Sequence, residues 1–197
     1  LALNLGDFSM NSDFVRNGYD VTGKGVKVGV ISDSYNSKGA ASLDVTNGDL
    51  PGAGNIEGNL QEVEVLKDFT GTFRTLSDEG RAMLQIVHDI APGADLAFRT
   101  GFLSPADMAS GITELADRGS DIIVDDITHI TEPFFRDGII SKAVDDVVSR
   151  GVSYFTAAGN FGRKSYSGTF SPFTGKSPAG ISGVIHNFGG GDIYQSI

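Results

Sequence analysis

The sequence predicts an α/β fold in which a mostly parallel sheet lies between two layers of helices. Two observations predict it: short apolar runs rich in β-branched residues, and longer helical patterns between them. Such runs suit strands that are buried on both faces. Strands that alternate with helices indicate parallel pairing through right-handed crossovers. The predicted strands are residues 26–32, 94–100, 121–126 and 152–160.

Two of the intervening helices are marked by their end residues. The first begins at Pro105, behind Ser104, and ends before Gly119. Serine caps the exposed amides of a first turn, proline fits the first helical position, and glycine terminates a helix. The second is predicted from about Asp137 to Gly151.

Composition excludes several kinds of partner and site. The 197 residues are 40% hydrophobic, which is enough for one substantial core. A net charge of −10 repels phosphate backbones, so no nucleic-acid partner is expected. The absence of cysteine excludes disulfides and thiolate metal sites. No apolar run is long enough to span a membrane, so no membrane partner is expected, and residues 1–10 contain no visible signal peptide.

Residues 44–59 are predicted to form a long surface loop because glycine, asparagine and aspartate dominate them. Their acids leave a structural calcium ion open as an alternative. The spacing of these acids matches no calcium-binding loop, and a solvated loop is the simpler interpretation. No other cofactor is expected.

Glu79 opens a third predicted helix that runs to Ile90. On a helical wheel of about 100° per residue, Glu79 falls on the apolar stripe that contains Met83 and Ile86, which predicts that it faces inward. His88 falls on the opposite side, which predicts a surface or half-buried histidine outside any site that contains Glu79. An acid in a first turn is explained by the helix dipole. An inward-facing acid is equally explained by proton transfer in a cleft, and both interpretations stay open.

Three segments resemble, in the right order, blocks of the subtilisin-like serine peptidases. They are GKGVKVGVISDS at 23–34, DEGRAMLQIVHDIAPGADL at 78–96 and GVSYFTAAGNFG at 151–162. The resemblance implies the three-layer subtilisin-like fold, here incomplete. It also implies a secreted serine endopeptidase that acts on a peptide or protein substrate.

The resemblance implies catalytic roles for three residues. Asn160 matches the asparagine that stabilises the oxyanion in that family. Glu79 stands in place of the catalytic histidine, and the related sedolisins use a glutamate as general base in acid, although they carry a second acid where this chain has Met83. Asp33 lies one residue after the position of the family's aspartate, which Ser32 occupies. Asp33 is therefore the candidate to share a proton with Glu79, and which of Asp33 and Ser32 fills the acid position stays open.

The resemblance also implies the substrate-binding residues. Residues 124–130 match the family's substrate-facing strand, along which an extended peptide pairs through backbone hydrogen bonds. Asp125 and Asp126 are unusual there: one of them reads a basic substrate side chain or joins Glu79 in proton handling, or both are simply a solvated strand end. The implied substrate-binding residues are Asp126, Ile127, Thr128, Ala157 and Gly159.

The family's nucleophile, a serine in a Gly-Thr-Ser motif downstream of the asparagine, has no match. Residues 167–173 come closest, but they have Phe170 in the serine's place and are predicted to be loop. Residues 180–192 resemble the strand that follows the oxyanion block, and His186 within it is expected to be structural. Residues 1–197 are therefore expected to be the N-terminal portion of a longer catalytic domain, inactive on its own.

Two other functions stay open at this point. The first is a catalytically degenerate peptidase fold that binds peptides or partner proteins. The second is phosphoryl chemistry on Mg²⁺ held by Asp33, Asp125 and Asp126, because all three lie at the carboxyl ends of predicted parallel strands.

Overall fold

The computed structural model describes residues 5–69, 71, 76–162, 167–177 and 179–194. The chain divides into two compact units, Leu1–Ala158 and Gly159–Ile197, and each is described by itself. Among the described residues, no helix combines the length and the apolar character needed to cross a membrane.

The first unit contains a five-stranded, fully parallel sheet, which confirms the predicted fold class. The strand order is β2-β3-β1-β4-β5, so β1 is central and the two edges are β2 and β5. All four predicted strands are present, at β1, β3, β4 and β5. The strands are β1 Lys27–Ser32, β2 Glu64–Lys67, β3 Asp95–Thr100, β4 Ile122–Asp125 and β5 Ser153–Thr156.

Six helices are described in this unit. Both helices predicted from their end residues are present, at α5 and α6. The Ser104 side chain caps α5 by accepting a hydrogen bond from the Asp107 N–H. The helices are α1 Leu5–Met10, α2 Ser12–Tyr19, α3 Ala41–Asn47, α4 Glu79–Ile90, α5 Pro105–Asp117 and α6 Ile139–Ser149.

Each face of the sheet carries its own apolar core. On one face Leu84 of α4 packs with β1 and β3 side chains, among them Val30 and Phe98. On the other face the side chains of α5 and α6, such as Ile112 and Val147, pack on the alternate strand residues. The chain therefore leaves β1 toward the α3 and α4 face and leaves β4 toward the α6 face. Since β1 and β4 are neighbours, ligands are expected between their carboxyl ends in sheets of this kind, and we call this region the crevice.

The inward face of α4 differs from the prediction. Its buried residues are Gly80, Leu84 and His88, whereas Glu79 is exposed and Ile86 is 46% exposed. Gly80 explains the difference, because a Cβ at this position would lie on the Phe98 ring and 2.9 Å from the Ser34 carbonyl oxygen. The helix approaches the sheet along its glycine, a residue that gives no apolar signal on a helical wheel.

His88 was predicted to be a surface or half-buried residue, and this prediction is wrong. Its side chain is only 2% exposed and belongs to the buried seam of α4. Burial lowers the pKa of His88. Its Nε2 lies 3.5 Å from Nδ2 of Asn59.

The prediction of a surface loop at 44–59 is wrong in two respects. Its first residues belong to α3, and Leu50 within it is fully buried. The buried Asn55 organises the segment: its side-chain nitrogen donates to the Leu50 carbonyl, and its side-chain oxygen accepts from the Glu57 N–H. Local side-chain to backbone hydrogen bonds of this type give a loop a fixed shape.

The second unit contains an antiparallel hairpin of β6 Pro172–Lys176 and β7 Ser182–His186. Residues 167–170 lack regular structure, as predicted, but Pro172 and Phe173 of the predicted loop belong to β6. His186 ends β7, and its Nδ1 accepts a hydrogen bond from the Ser171 N–H.

The close approach at Gly80 leads to a stability prediction. Gly80→Ala forces a methyl group against Phe98 and the Ser34 carbonyl oxygen, so we expect a loss of about 1–3 kcal/mol in the free energy of unfolding. Gly18→Ala is the matched control, because Gly18 is also helical but faces open space, and alanine there should be neutral or stabilise by up to about 1 kcal/mol. Urea unfolding of both variants measures the difference, and equal effects would contradict the packing described.

Candidate functional site

The candidate site lies where β1 and β4 end side by side. Ser32 is the last residue of β1 and Asp33 follows it, while Asp126 follows the last residue of β4. Glu79, the first residue of α4, is joined to this edge through Asp33. The structure thus brings together Asp33, Glu79 and Asp126.

Asp33 is a buried carboxylate that holds the start of α4. Its Oδ1 accepts from the Glu79 N–H at 3.0 Å, and its Oδ2 accepts from the Ser77 N–H and from the Ser77 hydroxyl at 3.0 Å. Its own carbonyl oxygen accepts from the Thr100 hydroxyl at 2.7 Å, which ties it to β3. A carboxylate at this position pairs amides that the first turn of a helix leaves without partners.

We predicted that Asp33 and Glu79 share a proton, but among the described residues no hydrogen bond joins their two carboxyl groups. Asp33 contacts the main chain of Glu79, and its two oxygens are occupied by donors from Ser34, Ser77 and Glu79. Asp33 therefore positions Glu79 through the backbone and leaves the Glu79 side chain unconstrained.

Asp78 was not singled out in the sequence and supports the same junction from the other side. Its backbone is left-handed, with φ of 61°, and its carboxylate is buried. That carboxylate accepts from the N–H groups of Ser37 and Lys38 and from the Ser34 hydroxyl, and it pairs with Arg81 at 2.6 Å. Burial acts to raise the pKa of Asp78, but these hydrogen bonds outweigh burial and lower it.

The Glu79 side chain is exposed, and no hydrogen bond to its carboxylate is found in the part of the chain that the structure describes. Its charge nevertheless acts on Asp126, since it is one of the charges that raise the pKa of that residue. The Glu79 carboxylate is therefore open to solvent and electrostatically coupled to Asp126.

Asp126 is half-buried, and its pKa is raised to about 6. Burial is the main cause; the Ser32 hydroxyl lowers the pKa, and the charges of Glu79 and Asp33 raise it. Oδ1 of Asp126 and the Ser32 hydroxyl are both buried without a partner in strict hydrogen-bond geometry among the described residues. Asp126 therefore keeps its proton up to a pH of about 6.

The Asp125 side chain lies on the opposite face of the sheet, the face that α5 and α6 cover. It accepts hydrogen bonds from the Tyr154 hydroxyl at 2.6 Å and from the Thr156 hydroxyl at 3.0 Å. Burial raises the pKa of Asp125, and burial together with the Asp125 charge raises the pKa of Tyr154.

The three acids that were candidates to hold Mg²⁺ do not converge in the described structure. Consecutive residues of an extended chain point to opposite faces, so Asp125 does not converge with Asp33 and Asp126. Within the described ranges, no group of three or more histidine or acidic side chains is placed to hold a metal ion.

The remaining predicted site residues fall in both units. Ile127 is half-buried and Thr128 exposed, both directly after β4. The Ala157 N–H donates to the Asp125 carbonyl at 3.1 Å and so extends the β4–β5 pairing. Gly159 and Asn160 belong to the second unit, and their part in the site stays a prediction.

Comparison with known proteins supports the fold. Neither a protein-family model nor a curated protein sequence matches the chain. Among solved structures, the PatG macrocyclase in complex with peptide superposes with a TM-score of 0.50 at 13% identity, covering 82% of this chain and 58% of that chain. MycP1 with its N-terminal propeptide removed superposes with a TM-score of 0.44 at 16% identity, covering 88% of this chain and 52% of that chain.

The chain thus has a parallel α/β fold, and at 13% identity the likeness to the PatG macrocyclase shows the fold alone. It spans between about half and three-fifths of the length of these two structures.

The raised pKa of Asp126 predicts a pH-dependent stability. Between pH 3.8 and about 6 the folded protein keeps a proton on Asp126 that the unfolded chain releases, so stability falls as pH rises through this range. Asp126→Asn removes this loss. After a discount for solvent screening, we expect the variant to gain about 1–2 kcal/mol over wild type at pH 7.5 and little at pH 3.5.

Urea unfolding at the two pH values measures this gain. Asp137→Asn, at an exposed position in the loop before α6, is the control and should show no such pH-dependent gain. A less stable Asp126→Asn at pH 7.5 would mean that ionised Asp126 makes favourable contacts in the folded state.

Proposed function

We propose that this chain is the N-terminal part of the catalytic domain of a serine endopeptidase in which Glu79 is the general base. One observation carries the proposal: the buried Asp33 carboxylate holds the main chain of Glu79 at the crevice between β1 and β4, beside Asp126. A general base must be fixed in position while its proton-accepting atoms stay accessible. The Asp33 contact fixes the backbone of Glu79, and the exposed Glu79 carboxylate stays accessible.

Asp126 complements this role by holding a proton. Two carboxyl groups whose charges repel each other resist simultaneous ionisation, and here the repulsion from Glu79 adds to burial in keeping Asp126 neutral. Below a pH of about 6 Asp126 is mostly protonated. Protonated Asp126 would then be a hydrogen-bond donor toward the reacting groups, and the exposed carboxylate of Glu79 would be the group that accepts a proton from a serine hydroxyl. Such an enzyme works best in acid.

The proposed substrate is an extended peptide. It would lie along Asp126, Ile127 and Thr128 and pair with their backbone, and Ala157 and Gly159 are the other substrate-binding residues that we propose. Asn160 would donate to the oxyanion. The PatG macrocyclase structure contains a peptide, which supports peptide binding by this type of fold. The nucleophile is proposed to lie in a segment beyond residue 197, and a secreted location and a structural calcium ion belong to the same proposal.

A second function is favoured by a specific observation. The sequence has glutamate where the family has its histidine, and it contains no Gly-Thr-Ser motif. Both features suit a degenerate peptidase fold that binds peptides without cleaving them.

Active-site labelling separates the two functions. The full-length protein should be labelled by a fluorophosphonate at a serine downstream of residue 197. Labelling should be faster at acid pH than at neutral pH. Glu79→Gln should slow labelling by at least about 100-fold, because the serine loses its general base.

Glu62→Gln replaces another exposed glutamate and should label at the wild-type rate. Labelling that Glu79→Gln leaves unchanged would exclude Glu79 as the base. A full-length protein without a labelled serine, but with measurable peptide affinity, would identify the degenerate binder.

A further inference from the structure

A cavity of about 310 Å³ lies in the first unit, between the ends of β4 and β5 and helices α5 and α6. Its volume is at the lower end of the range of about 300–1,000 Å³ found for small-molecule sites. The residues that line it are Met108, Asp125, Ile127, Ile140, Ser141, Val144, Asp145, Tyr154 and Thr156.

The cavity is apolar along its walls and acidic at two points. Met108, Ile140 and Val144 supply aliphatic surface. Asp125 is only 3% exposed, whereas Asp145 is exposed to solvent. None of the lining residues is a lysine or arginine, so neither carboxylate meets a cation within the lining. A buried carboxylate without a counter-ion costs free energy that a cationic ligand would recover.

The hydrogen bonds of Asp125 limit what kind of cation fits. Asp125 accepts from the hydroxyls of Tyr154 and Thr156 and from the Ile127 N–H. A carboxylate has about four acceptor positions, so about one is left. One free position suits a compact ammonium group that donates along a single direction, and it cannot match the two parallel donors of a guanidinium.

We propose that this cavity binds a primary ammonium group carried on a short aliphatic chain. The aliphatic part packs against Met108, Ile140 and Val144, and the ammonium donates to Asp125. Lysine side chains and small free amines share this chemistry. The lysine version rests on the proposed peptide-directed function and would make a basic side chain the specificity element of the substrate.

Methyl NMR spectra of the 197-residue chain test the proposal with n-butylammonium as probe. Its addition should give saturable shifts at Met108, Ile127 and Ile140. We expect 1-butanol and n-butylguanidinium to bind at least about tenfold more weakly, because the first lacks the charge and the second lacks a matching acceptor pair.

Asp125→Asn should weaken n-butylammonium binding by about tenfold and leave 1-butanol binding unchanged. Asp145→Asn, at an exposed position that does not threaten folding, should weaken it by about threefold, and Asp137→Asn should have no effect. Ammonium binding that does not saturate at these methyl groups, or that a folded Asp125→Asn variant does not weaken, overturns the proposal. If Asp125→Asn does not fold, unchanged binding to Asp145→Asn overturns it.

A second probe, N-acetyl-lysine N-methylamide, distinguishes the two sources of the amine. Shifts of the same methyl groups identify a lysine side chain as ligand, and shifts with n-butylammonium alone identify a small free amine. These measurements need no catalysis. Fluorophosphonate labelling without amine binding would therefore contradict only the amine-binding proposal. Amine binding without labelling would contradict only the proposed endopeptidase activity.

Discussion

The contact between the Asp33 carboxylate and the main chain of Ser77 and Glu79 is the interaction on which the candidate site depends. It joins the end of the central strand to the first turn of α4, across 46 residues of sequence. Asp78 makes the reciprocal connection, from the head of α4 back to the loop after β1. Buried carboxylates persist only where several donors satisfy them, and here the donors are mostly backbone amides. The junction is therefore fixed by backbone contacts, and the Glu79 side chain is left available for chemistry.

Strand alternation divides the acids at the end of β4 between two environments. Asp125 points to the α5 and α6 face, where hydroxyl groups bind it beside an apolar cavity. Asp126 points to the crevice, where burial and the charges of Glu79 and Asp33 favour its protonated form. Two neighbouring aspartates thus acquire different properties from the face that each one occupies. The first is suited to holding a cation and the second to holding a proton, which is why we assign them to different roles.

The sequence predicted the parts of this structure that depend on local pattern. The strands β1, β3 and β4 were recognisable because nearly all of their residues are buried or half-buried, and β5 was recognised from its apolar run although most of its residues are exposed. The edge strand β2 was missed because Val65 is exposed and charged residues flank it. The buried face of α4 was mispredicted because Gly80, and not an apolar side chain, forms the contact with Phe98. The proximity of Asp33 and Asp126 follows from the rule that parallel strands end at one edge, whereas the link between Asp33 and Glu79 was implied by the family resemblance. The role of Asp78 could not be predicted, since it depends on a left-handed backbone and on contacts with residues 34–38.

The claim that Glu79 and Asp126 form an electrostatically coupled pair is tested most directly by a ¹³C NMR titration of the side-chain carboxyl groups. Wild-type Asp126 should titrate with a midpoint near the value of about 6 that its surroundings impose, and Glu79→Gln should lower that midpoint because one of the repelling charges is gone. A midpoint near the ordinary 3.8, unchanged by Glu79→Gln, would contradict the coupling and with it the assignment of proton handling to this crevice.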